Sequence, residues 1–406
     1  MPPFDVDRIY LKVQGAATTA TIATNLVVIE NKPDLVAKVA EVAGLQEKLF
    51  EEEPDIVTPE ATFDGLTLAS LAVQMEYITG AAHCNQALNV LGGSALMAVD
   101  IETARKDEDP RSGLDPHRAT IRLIQLYDGN EKVYVFDCFQ NEVWIALLSS
   151  NIWSRPMVAH NAVFELKHLK NSGIVIPNIG CTMLQSNALT GELPKLTTLV
   201  KRFLGKELSK AQQVSDWSVA DLSKVQLEYA ALDAVVTHKA AHIQADKLKQ
   251  VNRQMVYLTM KDSQLAVAEM ELAGFLFDLG SHKVLIDRWK EEKVIVLEAL
   301  SQILAGINLN SGKQVAEWLI ENLDKDTLDN WPRTPTGQLK TDTNSFSQYP
   351  HLEVTQPLLV YKEVAKKLST YGEKYRAHIN HVTGRIHGSY RIGGNVTGRI
   401  SDRVFG

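Results

Sequence analysis

The sequence predicts an α/β protein in which a mixed-sheet domain is followed by a mainly helical portion. Three observations carry this reading. Apolar, β-branched runs at 95–102, 119–127 and 132–137 have the length of buried strands, and Gly129-Asn130 supplies a hairpin turn between the last two. A helical stretch at 141–150 then leads into a short apolar run at 157–159. From residue 160 to about 380 the apolar positions recur mainly with helical period. An antiparallel meander, then a strand, then helices is the order expected of an α/β domain with a mixed sheet.

Composition bounds the alternatives. With 406 residues, 45% of them hydrophobic and 22% charged, the chain has room for two or three domains with cores of their own. The N-terminus lacks the basic region and apolar core of a signal peptide, and no apolar run approaches the roughly 18 residues of a membrane span. A cytoplasmic or nucleoid location, away from membranes, is expected. Cys84, Cys138 and Cys181 lie far apart and form no C-x-x-C, which fits a reducing compartment rather than disulfides or structural zinc. The net charge of −7 is unevenly placed. Residues 1–75 carry 12 acidic and 5 basic side chains, so the remainder is balanced. Within that remainder, residues 360–406 hold nine Lys or Arg against three acids, a local excess suited to phosphates.

Taken in order, the chain divides into three parts. Residues 1–75 are read as an acidic extension, with helical spacing over 34–53 (Leu35, Val36, Val39, Val42, Leu49) ending in Glu51-Glu52-Glu53-Pro54. Residues 76–250 form the α/β domain and close with a long helix beginning at Ser223, where Ser-Lys-Val-Gln is a capping-box pattern. Residues 251–406 are helical, with Gly-, Pro- and Thr-rich breaks at 308–312 and 331–343, and turn strand-like and glycine-rich from Arg385 onward.

The chemistry concentrates on carboxylates. Asp100 and Glu102 stand two apart where the first apolar run is expected to end, so an extended backbone points both to one face. Like charges that close are costly unless a cation lies between them. Asn161 follows the 157–159 strand, and Glu165 sits one turn into the next helix. On the long helix Tyr229 and Asp233 are four apart and share a face. A helix presenting a phenol and a carboxylate to a strand-borne acid pair makes a reasonable two-metal site. Oxygen donors alone suit Mg²⁺ or Mn²⁺ rather than zinc.

This ordered set, Asp100-Ile-Glu102, Asn161-Ala-Val-Phe-Glu165 and Tyr229-Ala-Ala-Leu-Asp233, resembles the tyrosine-bearing branch of the DEDD 3′→5′ exonucleases. So does the stretch from Leu196 through Ser215-Asp-Trp-Ser218. That branch includes ribonuclease D and the proofreading domain of family A DNA polymerases. The second half favours the polymerases. Asn308-Leu-Asn-Ser-Gly-Lys-Gln and Thr334-Pro-Thr-Gly-Gln-Leu-Lys are similar to their thumb motifs, Tyr361–Tyr371 to the helix leaving the thumb, and Thr383-Gly-Arg-Ile-His-Gly-Ser-Tyr with Asn395-Val-Thr-Gly-Arg-Ile-Ser to the start of their palm. The resemblance covers about 76–406. It implies a ribonuclease-H-like exonuclease domain at 76–250 and a helical thumb with the beginning of a palm at 251–406.

The resemblance also implies roles. Asp100, Glu102 and Asp233 would hold one divalent ion, and Asp100 with Glu165 a second; Tyr229 would orient the attacking water. Asn161 would meet the strand end or the terminal nucleotide, with Met183 and Leu184 wedged against the terminal base. Arg399 would reach the primer-end minor groove. Independently of the resemblance, Lys362, Lys366 and Lys367 are spaced to line one side of a helix, where the first two are expected to contact phosphates. DNA is the expected partner. The sequence stops before the palm's metal-binding aspartates, so no synthesis is expected from this chain alone, and a complementary polypeptide carrying palm and fingers is expected as a second partner. Two departures stand out: Glu165 occupies a position usually Asp, and Cys181-Thr-Met stands where Asp-Thr-Met is common. A silent DNA-holding half, or a ribonuclease D-like RNA exonuclease, are the alternative readings.

Overall fold

Six strands build the central sheet of the computed structural model, which describes residues 65–208, 215–395 and 397–402. All lie in the compact unit Phe63–Gly406. The helix expected at 34–53 lies outside the described residues. The strands are β1 (Gln74–Ile78), β2 (Met97–Arg105), β3 (Ala119–Tyr127), β4 (Lys132–Asp137), β5 (Met157–Ala159) and β6 (Ile179–Cys181). Their spatial order is β1-β4-β3-β2-β5-β6. The β2-β3-β4 meander is antiparallel, β5 and β6 run parallel to β2, and β1 runs parallel to β4. This is the mixed sheet expected, arranged as in a ribonuclease-H-like fold. Gly129 makes the β3–β4 turn at φ +91°, where a Cβ would come 2.6 Å from the His238 ring.

β1 and β6, the two edge strands, were not anticipated. β1 reads Gln-Met-Glu-Tyr-Ile and is mostly half-exposed, so its alternation is too weak to mark a buried strand. β6 has only three residues. β2 also differs, because it continues three residues past Glu102 instead of ending at the acid pair.

Alternation along β2 sorts the two faces. Met97, Val99 and Ile101 join one apolar core, together with residues of α1 (Ala81–Leu91), α2 (Asn141–Ser149) and α3 (Val163–Asn171). Ala98 joins the opposite core, built against the helix that closes the domain. Between the two cores' covering helices come α4 (Thr182–Thr190) and α5 (Leu196–Leu204), and the closing helix is α6 (Lys224–Gln250). Ala230, Ala231 and Ala234 on α6 are fully buried, and their small side chains let the helix axis approach the sheet closely. The capping box forms as read: Ser223 Oγ accepts from the Gln226 N–H at 3.3 Å, and Gln226 Oε1 accepts from the Ser223 N–H at 3.0 Å.

α7 (Gln254–Ala273) leaves this domain while still packed on its edge. Tyr257 Oη accepts the Cys181 N–H at 3.1 Å, and the buried Gln264 donates to the Ile179 carbonyl at 3.3 Å. β7 (Phe275–Leu276) then leads to α8 (Leu279–Ile303), α9 (Gly312–Asn322), α10 (Lys325–Asn330), α11 (Thr343–Ser347) and α12 (Thr355–Tyr371). These helices enclose a third core that includes Leu300, Leu319, Trp331, Phe346 and Leu358. Trp331 anchors the 331–343 loop by donating from Nε1 to the Lys340 carbonyl at 2.8 Å and stacking on Tyr349. The strand-like tail resolves into two-residue pieces. β8 (Arg385–Ile386) pairs with β7, and β9 (Tyr390–Arg391) pairs with β10 (Ser401–Asp402).

Candidate active site

The register of β2 decides where its acids lie. β5 pairs with β2 only at Met97 and Ala98, whereas β3 stays paired as far as Arg105. Asp100 and Glu102 therefore project beyond the end of their parallel neighbour, on the face that α6 covers. A bulge between Glu102 and Thr103 turns the strand immediately after the pair. The acids thus occupy mid-strand, and the opening comes from the short neighbour rather than from the end of β2.

The other groups arrive from two helices. Asp233, 9% exposed, lies on the sheet-facing side of α6, and Tyr229 is one turn earlier. Asn161 turns the chain from β5 into α3 at φ +67°, a left-handed conformation that Asn tolerates better than most residues. Glu165 follows in the first turn of α3 and is 3% exposed. Oxygen Oε2 of Glu165 and Oδ1 of Asp233 are buried with no hydrogen-bond partner.

The electrostatics follow from this crowding. Burial first, then the Asp233 charge, pushes the Asp100 carboxyl well above its ordinary range. Burial followed by Asp100, Asp233 and Glu165 does the same to Glu102. Glu165 is raised by burial and Asp100, with Lys167 opposing the shift. Burial lifts Asp233 to about 7, although its hydrogen bond with Tyr229 works the other way. Tyr229 is raised by burial and then by the same acids, so it stays a neutral phenol. Buried, mutually repelling carboxylates with orphaned oxygens are unfavourable by themselves. They fit hard divalent cations, whose charge would satisfy them. Among the described residues, no three His, Cys, Asp or Glu side chains already stand in a ligating arrangement, so the acids converge without meeting at one point.

Asp100, Tyr229 and Asp233 line a cleft of about 780 Å³, which Asn161, Met183 and Leu184 also line. The structure thus brings these three candidates to the acids. Glu102, half-buried, and Glu165, buried, do not line the cleft. Lys362, Lys366 and Arg399 do not line it. Lys362 is half-buried and donates to the Thr341 carbonyl at 2.7 Å, and burial lowers its pKa. Lys366 and Arg399 are exposed. Part of the basic excess of 360–406 is used internally: Lys367 pairs with Glu363 at 2.6 Å, and Arg385 donates to the Ala273 and Gly274 carbonyls. The cleft further includes His117, Lys167, Glu271 and residues 387–392, none of which sequence reasoning assigned to it. They come from four separate segments, and only His387 to Tyr390 lay within a quoted motif.

The comparisons with known proteins agree with this geometry. Residues 75–249 match the 3′-5′ exonuclease family, and residues 284–404 match DNA polymerase family A. DNA polymerase I of Aquifex aeolicus is 25% identical over 342 residues, covering 81% of this chain and 56% of its own length. DNA polymerase I of Borreliella burgdorferi is 26% identical over 394 residues, covering 91% of this chain and 41% of its own. The chain therefore spans about half the length of these relatives. In fold it is similar to the POL domain of Pol1 from M. smegmatis, solved in complex with DNA primer-template and dNTP. The TM-score is 0.64 at 18% identity, covering 82% of this chain and 55% of that one. With both stretches in this order along one chain, and the candidate acids within the first, the protein carries a 3′-5′ exonuclease domain followed by a DNA polymerase family A region, which fits the N-terminal portion of a family A polymerase.

Proposed function

We propose that this chain removes nucleotides from the 3′ end of DNA by metal-dependent hydrolysis of the terminal phosphodiester, and that its helical portion holds the DNA. The observation that carries the reading is the group of four carboxylates in a matched exonuclease domain, two half-buried and two buried with orphaned oxygens, of which Asp100 and Asp233 line the cleft. Asp100, Glu102, Glu165 and Asp233 would hold Mg²⁺ or Mn²⁺. When bound, such ions supply a nucleophilic water at neutral pH and stabilise the leaving oxygen. The residues of the chain do the rest. Tyr229 remains protonated and orients the attacking water by hydrogen bonding, because a phenol held this high is no base at pH 7. Asn161 meets the terminal nucleotide, while Met183 and the buried Leu184 form an apolar wall beside its base.

DNA binding is supported by the solved relative, which carried primer-template. On this chain Lys366 and Arg399 are exposed cations that would meet phosphate or the minor groove, whereas Lys362 already uses one donor inside the helical portion. Glu165 keeps a carboxylate where the family usually has Asp. Its buried, unpartnered Oε2 favours a working site over a silent one. The test is excision from a 5′-labelled single-stranded oligodeoxynucleotide with and without Mg²⁺, beside the same oligoribonucleotide. Metal-dependent shortening of the DNA supports the proposal. Preference for the RNA would point to a ribonuclease D-like role, and no excision of either would leave a DNA-holding module.

A further inference from the structure

The cleft lined by Asp100 and Asp233 has a wall made by residues 387–392, from the stretch that matches the polymerase family. This wall is firmly attached. Glu271, at the end of α7 and 4% exposed, accepts the Tyr390 N–H on Oε1 at 2.6 Å and pairs through Oε2 with Lys167 Nζ at 2.6 Å. Lys167 lies on α3, two residues after Glu165. The Glu271 carbonyl also bonds the His387 ring at 2.8 Å. One side chain thereby links the helix bearing a catalytic acid to the wall. The Tyr390 ring packs, partly buried, against the apolar core that includes Leu184, near Met183 and Leu193. It folds over Gly388, where a Cβ would come within 2.7 Å of ring atoms. Lys195, exposed, stands on the same cleft.

An aromatic face set among apolar side chains, with a cation at the rim, is the pattern that binds single-stranded nucleic acid without reading its sequence. We propose that Tyr390 stacks on a base of the single strand a short way upstream of the scissile bond, and that Glu271 is the positioning residue that holds Tyr390 there. The inference rests on the exonuclease reading and deepens it. The nuclease cleft is completed by the polymerase-family stretch, so the strand's grip depends on residues outside 75–249.

The experiment is steady-state excision of a single-stranded oligodeoxynucleotide by the full chain. Tyr390→Ala is expected to raise KM about tenfold, the scale of one lost base stack, with kcat within about twofold. Tyr390→Phe, which keeps the ring, should restore the wild-type KM. Tyr390→Leu keeps apolar packing but lacks the π face and should resemble Tyr390→Ala. Glu271→Gln should also raise KM, and the double variant with Tyr390→Ala should add little further. If Tyr390→Ala fails to fold, the Leu and Gln variants carry the same test. An oligonucleotide KM within twofold of wild type for Tyr390→Leu and Glu271→Gln overturns the inference, as does a fall confined to kcat. In the p-nitrophenyl ester of thymidine 5′-phosphate, p-nitrophenol takes the place of the upstream strand, so no upstream base is present to stack on Tyr390. Wild type that turns over neither the ester nor the oligonucleotide overturns the exonuclease reading itself; turnover of both with an unmoved variant KM overturns only the role of Tyr390.

Discussion

Asp233→Asn should make the metal-free protein more stable, although it removes a catalytic group. Asp233 has a folded-state pKa of about 7 against an ordinary 3.8. The acid is therefore more easily ionised in the unfolded chain than in the folded one. Stability is unaffected below pH 3.8 and falls by about 1.4 kcal/mol per pH unit between 3.8 and 7. Above pH 7 the full cost is about 4 kcal/mol, and at pH 5 it is about 2 kcal/mol. Asparagine keeps the shape and cannot ionise. It also removes a charge that raises Asp100 and Glu102, which adds in the same direction. With an unfolding entropy of about 2 cal/mol/K per residue over roughly 340 residues, 4 kcal/mol corresponds to about 6 °C in Tm. Differential scanning calorimetry in EDTA at pH 8 should show that gain, and a smaller one at pH 5. Adding Mg²⁺ should raise the wild type and leave Asp233→Asn nearly unmoved, closing or inverting the gap. A variant less stable than wild type at pH 8 in EDTA would refute the reasoning. Asp233 would then be a structural acceptor whose hydrogen bonds outweigh its buried charge.

Three further outcomes can be checked directly. Glu165→Gln should slow single-turnover excision of a mismatched 3′ end by at least about a hundredfold, the scale of losing a transition-state charge partner, while Glu165→Asp changes it far less. A wild type no faster than Glu165→Gln, with Glu165→Asp gaining activity, would instead mark the site as decayed. Ser223→Ala removes the α6 capping box and should cost about 1 kcal/mol in chemical denaturation; no change would show that sheet packing alone fixes the start of that helix. In pH profiles at limiting Mg²⁺, excision should rise through about pH 7, because protons compete with the ion for Asp233, and the rise should flatten as Mg²⁺ is increased. A profile indifferent to Mg²⁺ concentration would contradict that competition.

Much of the sheet was legible because its strands obey local rules. β3, β4 and β5 begin and end where their apolar runs do, and the Gly129 turn and Ser223 cap form from the residues that named them. The edge strands were not legible. β1 alternates weakly because one of its sides is open, and β6 is only three residues long. The acid pair was legible as a pair, since i and i+2 share a face on any strand. That the strand would run on to Arg105 was not, because the cleft opens through the shortness of β5, a property of its neighbour. Phosphate contacts for Lys362 were read from helical spacing, whereas the side chain turns back to Thr341, a contact across 21 residues that spacing does not contain. The wall at 387–392 was invisible for the same reason: its place in the cleft depends on Glu271 and Lys167, more than a hundred residues apart in sequence.

The most direct measurement is the excision rate of a 5′-labelled single-stranded oligodeoxynucleotide by highly purified wild type, Asp100→Ala and Asp233→Ala, each with Mg²⁺ and with EDTA. Binding of the same strand is followed in parallel by fluorescence anisotropy. The buried-acid account predicts Mg²⁺-dependent shortening from the 3′ end by wild type, loss of at least about a hundredfold in both variants, and largely retained binding, because affinity rests on phosphate and base contacts elsewhere. Excision by either variant within tenfold of wild type, or by wild type equally well in EDTA, would contradict it.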